Sequence, residues 1–286
     1  MRRVRAEVLS TRRLGSFHVL TLVAPEIADK ARPGQFIAVA MPPDREFILR
    51  RNFSIHQASR RGGWAGTLEF AFEVDGPGTE LLSLMKAHET LEVLGPLGKA
   101  FAYPKLLTNC LLIAEGHGAA PLYFLAQELK ARHKRVDLIL GGETLERVFK
   151  PIEAKRLSQT ISIASLDGSI GERASVIDVL PSMTERCSSE VIYAAAPANT
   201  LREVAAFCFE RTLPAQVLVE ERMACATGLC FSCVVPFARK DGSGYDNLRA
   251  CVEGPVFNPA RVLWDRWRTE RPVAPQGTPA VRSWPG

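Results

Sequence analysis

The chain contains no run of 18 apolar residues, so it offers no candidate for a membrane-spanning helix. It has no basic stripe either. Thirty-six Lys and Arg are interleaved with 31 Asp and Glu, the net charge is only +5, and a nucleic-acid-binding face is not expected. The start, Met1-Arg2-Arg3-Val4-Arg5, is basic but runs into an alternating pattern and not an apolar segment, which argues against a signal peptide. There is no G-x-G-x-x-G fingerprint, no internal repeat and no convincing acid–base or nucleophilic constellation. Proteins whose chemistry is carried by their own side chains are thereby disfavoured.

What is present is a globular composition, 47% hydrophobic and 23% charged over 286 residues, enough for two domains with sizeable cores. Seven cysteines are an odd number, which in an untargeted chain points to a reducing, cytoplasmic compartment. Cys110 opens an apolar run and Cys208 lies in a helical pattern, so both are expected to be buried. Cys187, among Ser and Glu, reads as a free surface thiol.

The periodicity divides the chain. Residues 1–103 carry short alternating runs, Val4–Val8, Phe17–Leu22 and Thr67–Phe72, separated by turn signals at Pro33-Gly34 and Arg61-Gly62-Gly63. This predicts a small antiparallel β-barrel with one short helix after Gly78. Over 104–220 apolar runs (111–114, 136–140, 161–164, 191–194, 217–219) alternate with helical stretches near 119–132, 174–183 and 199–211. That rhythm predicts a Rossmann-like parallel α/β sheet covered on both faces. Residues 221–264 lose the rhythm and carry four cysteines. Beyond them, 265–286 form a Pro-rich tail, expected from Glu270 onward to be mobile or to lie on a partner.

Cys225, Cys230, Cys233 and Cys251 follow the spacing C-x4-C-x2-C, seventeen residues, C. Plant-type [2Fe–2S] loops use this spacing, and the small residues Ala224, Ala226, Thr227, Gly228 and Ser232 leave room for backbone to wrap a cluster. A zinc site is the alternative, but zinc ribbons pair two C-x2-C knuckles and only one is present. Upstream, Arg51-Asn52-Phe53-Ser54 falls on a predicted barrel strand, and Gly76-Pro77-Gly78-Thr79 opens a predicted helix. Together they form a candidate pyrophosphate cradle. Glu115-Gly116-His117-Gly118 sits between a strand and a helix, where parallel α/β sheets bind nucleotides. His117 there reads as an exposed loop residue. Glu143 ends the next strand, where an acid accepts a ribose hydroxyl and favours NADH over NADPH.

Barrel, α/β sheet and cysteine loop, in that order, resemble the ferredoxin–NADP reductase superfamily, and within it the electron-transfer subunits of class 1B dihydroorotate dehydrogenase. The most specific stretches are Glu221-Arg222-Met223-Ala224-Cys225, Gly228-Leu229-Cys230 with Cys233, and Cys251-Val252-Glu253-Gly254-Pro255-Val256-Phe257. The resemblance implies a [2Fe–2S] cluster on the four cysteines. It also implies FAD held by Arg51, Asn52, Phe53 and Ser54 and by Gly76, Gly78 and Thr79, and NAD at Gly116, Gly118 and Glu143. The implied activity is an electron relay between NAD(H), FAD, the cluster and a partner redox subunit, here an FMN-containing dihydroorotate dehydrogenase acting in pyrimidine biosynthesis. Hydrogenases, sulfide reductases and electron-bifurcating complexes use similar subunits. Two departures motivate a further alternative, a connector that does not bind NAD: Glu115 stands in a run usually made of glycines, and Ala195-Ala196-Pro197 replaces the family's Cys-Gly-Pro.

Overall fold

A computed structural model describes residues 1–41, 47–60, 66–106 and 108–267. The expected turn at 61–63 and the tail from 268 onward lie outside the described residues. The N-terminal half contains β1 (Arg2–Leu14), β2 (Phe17–Val23), α1 (Pro25–Ala28), β3 (Phe36–Val39), β4 (Arg51–Ser59), β5 (Thr67–Glu73), α2 (Pro77–Ser83) and β6 (Thr90–Leu97). The six strands close into an antiparallel barrel in the order β1-β2-β5-β4-β3-β6. Alternation is clean on β6, where Leu91, Val93, Gly95 and Leu97 point inward. On β2 it breaks down, because the outer face is covered as well: Phe17 packs edge-on against Phe149, with ring centroids 5.2 Å apart. The barrel is filled by Leu20, Leu22, Ile37, Ile55, Leu68 and Phe70, all fully buried, each side chain contributing about 1.5–3 kcal/mol of transfer free energy.

The second half runs β7 (Asn109–Glu115), α3 (Ala119–Ala131), β8 (Arg135–Gly142), α4 (Pro151–Leu157), β9 (Ile161–Ser165), β10 (Glu172–Arg173), α5 (Val176–Arg186), β11 (Val191–Ala195), α6 (Ala198–Glu210) and β12 (Ala215–Leu218). β13 (Val234–Ala238), β14 (Tyr245–Arg249) and β15 (Val256–Phe257) follow. The sheet order is β10-β9-β8-β7-β11-β12-β15, parallel except for β15, which pairs antiparallel with β12. From β7 the chain winds outward through β8 and β9, then returns to β11 on the other side of β7. The carboxyl ends of β7 and β11 therefore flank the topological switch point, where open α/β sheets leave a crevice.

Helix α3 is apolar almost all round, with every residue from Ala119 to Ala126 buried. It is wedged between sheet and barrel: Ala120 and Leu122 pack on the sheet side, and Phe124 joins the barrel core. The cysteine segment is anchored at both ends. The β13–β14 hairpin buries Val235 and Phe237 against the sheet's α5–α6 face, and β15 becomes the sheet's edge strand.

Cys110 and Cys208 are buried, as expected, and burial pushes their thiols up, to about 11 and about 12. The reading of Cys187 as a surface thiol is corrected: it is 1% exposed, follows α5 as its last-turn cap and packs in the core beneath. Glu185, Ser188 and Glu190 are exposed around the chain reversal while the thiol turns in beside buried Thr184 and Ser189.

Candidate functional site

Asn52, Phe53 and Ser54 of β4 form one wall of a cleft of about 620 Å³ between barrel, sheet and cysteine segment, and Arg51 precedes them on the strand. Pairing with β3 fixes their register: Arg51 opposite Val39, Asn52 opposite Ala38, Phe53 opposite Ile37 and Ser54 opposite Phe36. The floor is aromatic, with Phe53 stacked on Phe70 at 4.6 Å and tilted against Phe72 at 5.4 Å. Thr79 closes one end. Its hydroxyl accepts from the Asp75 N–H at 3.0 Å and lies 2.9 Å from the Asp75 carboxylate, which pins the turn into α2.

Arg51 and Gly78 come together. A methyl group at Gly78 would stand 2.8 Å from Arg51 Nε and 3.1 Å from Nη2, so the glycine lets the guanidinium lie directly on the first turn of α2, and a Cβ there would push it aside. Gly76 opens onto free space. The guanidinium also donates to the Leu49 carbonyl at 2.9 Å and rests over the Phe47 ring. This arrangement sets a fixed cation beside exposed backbone, which suits a pyrophosphate. Asn52 makes a second fit to a bound heterocycle. Its Nδ2 donates to the Met223 carbonyl at 3.0 Å, while its Oδ1 is buried with no hydrogen-bond partner among the described residues. A ring N–H in the cleft would supply what that oxygen lacks.

The two glycines of the β7–α3 turn serve different ends. Gly116 has φ +58° and open space around it. Gly118 is a packing requirement: a Cβ there would lie 2.2 Å from the Ala195 carbonyl oxygen at the end of β11. Glu115 accepts from the Thr200 hydroxyl at 2.7 Å. Burial raises its pKa, the Thr200 bond opposes that rise, and Glu143 and Glu203 add to it. Glu143 follows the end of β8 on the same side of the sheet, mostly exposed and 3.5 Å from Arg147.

His117 is not a free loop histidine. Its Nε2 lies 2.7 Å from Glu220 and its Nδ1 3.9 Å from Glu73, on the wall of the same cleft. Glu220 raises its pKa to about 9 against the opposing effect of burial. No sequence period flags this pair, because the two residues are contributed by loops far apart in the chain.

Left-handed backbone at Ala226, Gly228 and Phe231 coils the cysteine loop. Three N–H groups then converge on Cys225 Sγ, from Leu229 at 3.3 Å, Cys230 at 3.4 Å and Thr227 at 3.5 Å. Burial pushes that thiol up, but these donors outweigh it and hold it at about 6. Cys251 sits beside Cys233, and burial followed by that neighbour pushes it up to about 12. Among the described residues no three His, Cys, Asp or Glu groups form a coordination shell; the thiols pair as Cys225 with Cys230 and Cys233 with Cys251. Three thiols on one coiled loop and a fourth just beyond β14, with N–H groups already aimed at Cys225 Sγ, are a donor set that fits an iron–sulfur cluster. Arg249, which sequence reasoning passed over, braces this loop. It donates to the Gly228 carbonyl at 2.9 Å, pairs with Glu253 at 2.6 Å and covers the Phe231 ring.

Residues 220–263 match the iron-sulfur cluster binding domain of dihydroorotate dehydrogenase B. Over 242 residues the chain is 35% identical to the dihydroorotate dehydrogenase B (NAD(+)) electron transfer subunit of Desulforamulus reducens, covering 85% of this chain and 90% of that protein. The corresponding subunit of Bacillus caldolyticus is 32% identical over 246 residues, 85% and 91% of the two lengths. Among solved structures, an NADH-dependent reduced ferredoxin–NADP oxidoreductase, described for flavin-based electron bifurcation, superposes with a TM-score of 0.79 at 25% identity over 91% of this chain and 90% of that one. A Neisseria gonorrhoeae ferredoxin NADP+ reductase with bound FAD and NADP shares the fold, with a TM-score of 0.61 at 17% identity over 73% of this chain and 92% of that one. With a barrel, a switch-point crevice and a four-cysteine loop arranged around one cleft, the chain belongs to the family of dihydroorotate dehydrogenase B electron transfer subunits.

Proposed function

We propose that this chain is the electron-transfer subunit of an NAD-linked dihydroorotate dehydrogenase, an oxidoreductase complex of pyrimidine biosynthesis, with FAD in the cleft and a [2Fe–2S] cluster on Cys225, Cys230, Cys233 and Cys251. One contact carries the reading: Asn52, on the flavin wall, is hydrogen-bonded to Met223, two residues before Cys225. Flavin cleft and cysteine loop thus share a wall, which short-range electron transfer requires. FAD, when bound, supplies the exchange between a hydride and single electrons; the protein supplies the rest. Arg51 and the Gly76–Thr79 turn hold the pyrophosphate, and Phe53, Ser54 and Asn52 hold the ring. Gly116, Gly118 and Glu143 receive NAD(H) at the switch point. The loop braced by Arg249 presents the cluster, with Leu229 and Phe231 exposed around it.

The division of labour follows the chain: 1–103 for flavin, 104–220 for NAD, 221–264 for the cluster, and 265–286 as a tail. The partner is an FMN-containing subunit that oxidises dihydroorotate. A cytoplasmic setting agrees with seven unpaired cysteines.

Anaerobic co-purification with an FMN-containing dihydroorotate dehydrogenase tests this. The expected result is one FAD and about two irons per chain, with dihydroorotate-driven reduction of NAD+ only in the complex. Two observations favour other readings. The superposition on the bifurcating enzyme supports a different redox partner, and co-purification with other reductase subunits alone would establish it. The carboxyl of Glu115 at the crevice mouth supports a connector without NAD binding. Failure of NADH to bleach the bound flavin in anaerobic stopped-flow would establish that one.

A further inference from the structure

Three parts of the chain meet at His117. The imidazole comes from the turn between β7 and α3. Glu220, 2.7 Å away, directly follows Val219 beyond β12, where the cysteine segment begins. Glu73, 3.9 Å away, ends β5 of the barrel, and Asp75 follows it. Arg147 also approaches Glu73, at 3.8 Å from its other carboxylate oxygen, and lies 3.5 Å from Glu143. Glu221, the next acid along the wall, is taken by the indole N–H of Trp267. Around His117 the wall carries the carboxylates of Glu220, Glu73 and Asp75, and Arg222 lines the same cleft as a second cation. His117 and Glu220 keep 43% and 48% of their side-chain surface open, so both face the cleft and are not sealed in the core.

We propose that His117, clasped by Glu220, is a charge-compensating group of the flavin cleft: a cation that offsets the negative charge brought to the bound flavin by reduction. The inference rests on the flavin reading above and deepens it, since the resemblance supplies glycines, and no charged side chain, at this turn. Hydride transfer delivers two electrons and one proton, so the ring system gains one negative charge. Beside three carboxylates, that charge is opposed. An imidazolium on the same wall offsets part of that opposition, and no bond to His117 forms or breaks. The geometry keeps the imidazole charged at neutral pH: Glu220 first, then Glu73 and Asp75, raise its pKa to about 9 against burial. Its counterpart Glu220 is pushed up by burial, but His117 holds it below the usual carboxylate range.

The test is a spectroelectrochemical titration of the FAD-loaded full chain from about pH 6 to about pH 10, a range spanning the histidine switch. In the native protein the flavin midpoint should bend near pH 9. His117→Gln keeps an amide donor toward Glu220 and removes the cation. It should lose the bend and make flavin reduction at neutral pH about tenfold less favourable, about 30 mV for a two-electron couple. Glu220→Gln leaves the imidazole without its main partner and should move the bend to lower pH. Unchanged midpoints and an unmoved bend in both variants overturn the proposal. Should His117→Gln release the flavin, an unmoved bend in Glu220→Gln alone overturns it. A native chain that holds no flavin overturns the functional reading itself, an outcome separate from flavin bound with an indifferent potential.

Discussion

At the scale of single residues, close approach decides which side chains matter. Arg51 lies directly on the first turn of α2 at a place where a Cβ on residue 78 would push it aside. Gly78→Ala should displace the guanidinium and weaken FAD binding about tenfold, about 1.4 kcal/mol, with little change in urea midpoint; flavin fluorescence on release measures it. His56 is fully buried on β4. Its Nδ1–H donates to the Ala120 carbonyl at 3.0 Å, and its Nε2 accepts from Lys150 Nζ at 2.8 Å. Burial, then Lys150, lowers its pKa from 6.5 to about 4. The neutral form is favoured in the folded state, so the unfolded chain takes up this proton first as pH falls. Stability should be full above about pH 6.5 and drain away toward pH 4, by at most about 3 kcal/mol. Urea unfolding across that window checks it, and His56→Leu should flatten the slope.

At the scale of elements, the site is made of turns held by strands. The β5–α2 turn, the β7–α3 turn and the loop before β13 each hold their shape by local hydrogen bonds, and each is fixed in space by a strand of the barrel or sheet. The cysteine loop depends most on one brace. Arg249 joins its Gly228 carbonyl to Glu253, beyond Cys251, so it spans both groups of thiols. Arg249→Met removes the charge and keeps most of the stem. Global unfolding should shift by no more than about 1–2 kcal/mol, while a bound cluster should be lost to a chelator several-fold faster, followed by visible absorption.

At the scale of the whole molecule, the cleft exists only because barrel, sheet and cysteine segment pack as one. Helix α3 lies between barrel and sheet, β15 inserts the cysteine segment into the sheet edge, and Lys99 forms a bridge to Pro255. Asn52 is the polar tie between the barrel wall of the cleft and the cysteine loop. Asn52→Leu should weaken FAD binding, since a ring N–H loses its acceptor, and in FAD-saturated protein should slow onward reduction of the cluster more than flavin reduction by NADH, because about 1 kcal/mol of hydrogen bonding held the two together. Stopped-flow at flavin and cluster wavelengths separates the two steps. Equal slowing of both would show that Asn52 acts on the flavin alone.

Much was legible in the sequence because the signals were local. Period-two and apolar runs marked the barrel and sheet strands, since side chains alternate on a pleated strand and go apolar throughout when both faces are covered. Cysteine spacing marked the loop, since thiolates on one cluster must come from a tight turn. The short strands β3, β13, β14 and β15 left no such trace; they hold only two to five residues and draw their pairing from distant partners. The same limit hid Cys187, whose burial depends on a chain reversal. It also hid Arg249, the Asn52–Met223 tie and the His117–Glu220 pair. Composition and spacing alone determined a barrel, an α/β sheet and a four-cysteine loop. Only the tertiary structure decided that their edges meet at one cleft and that an imidazole faces three carboxylates there, because contacts between residues far apart in the chain are set by packing and leave no period in the sequence.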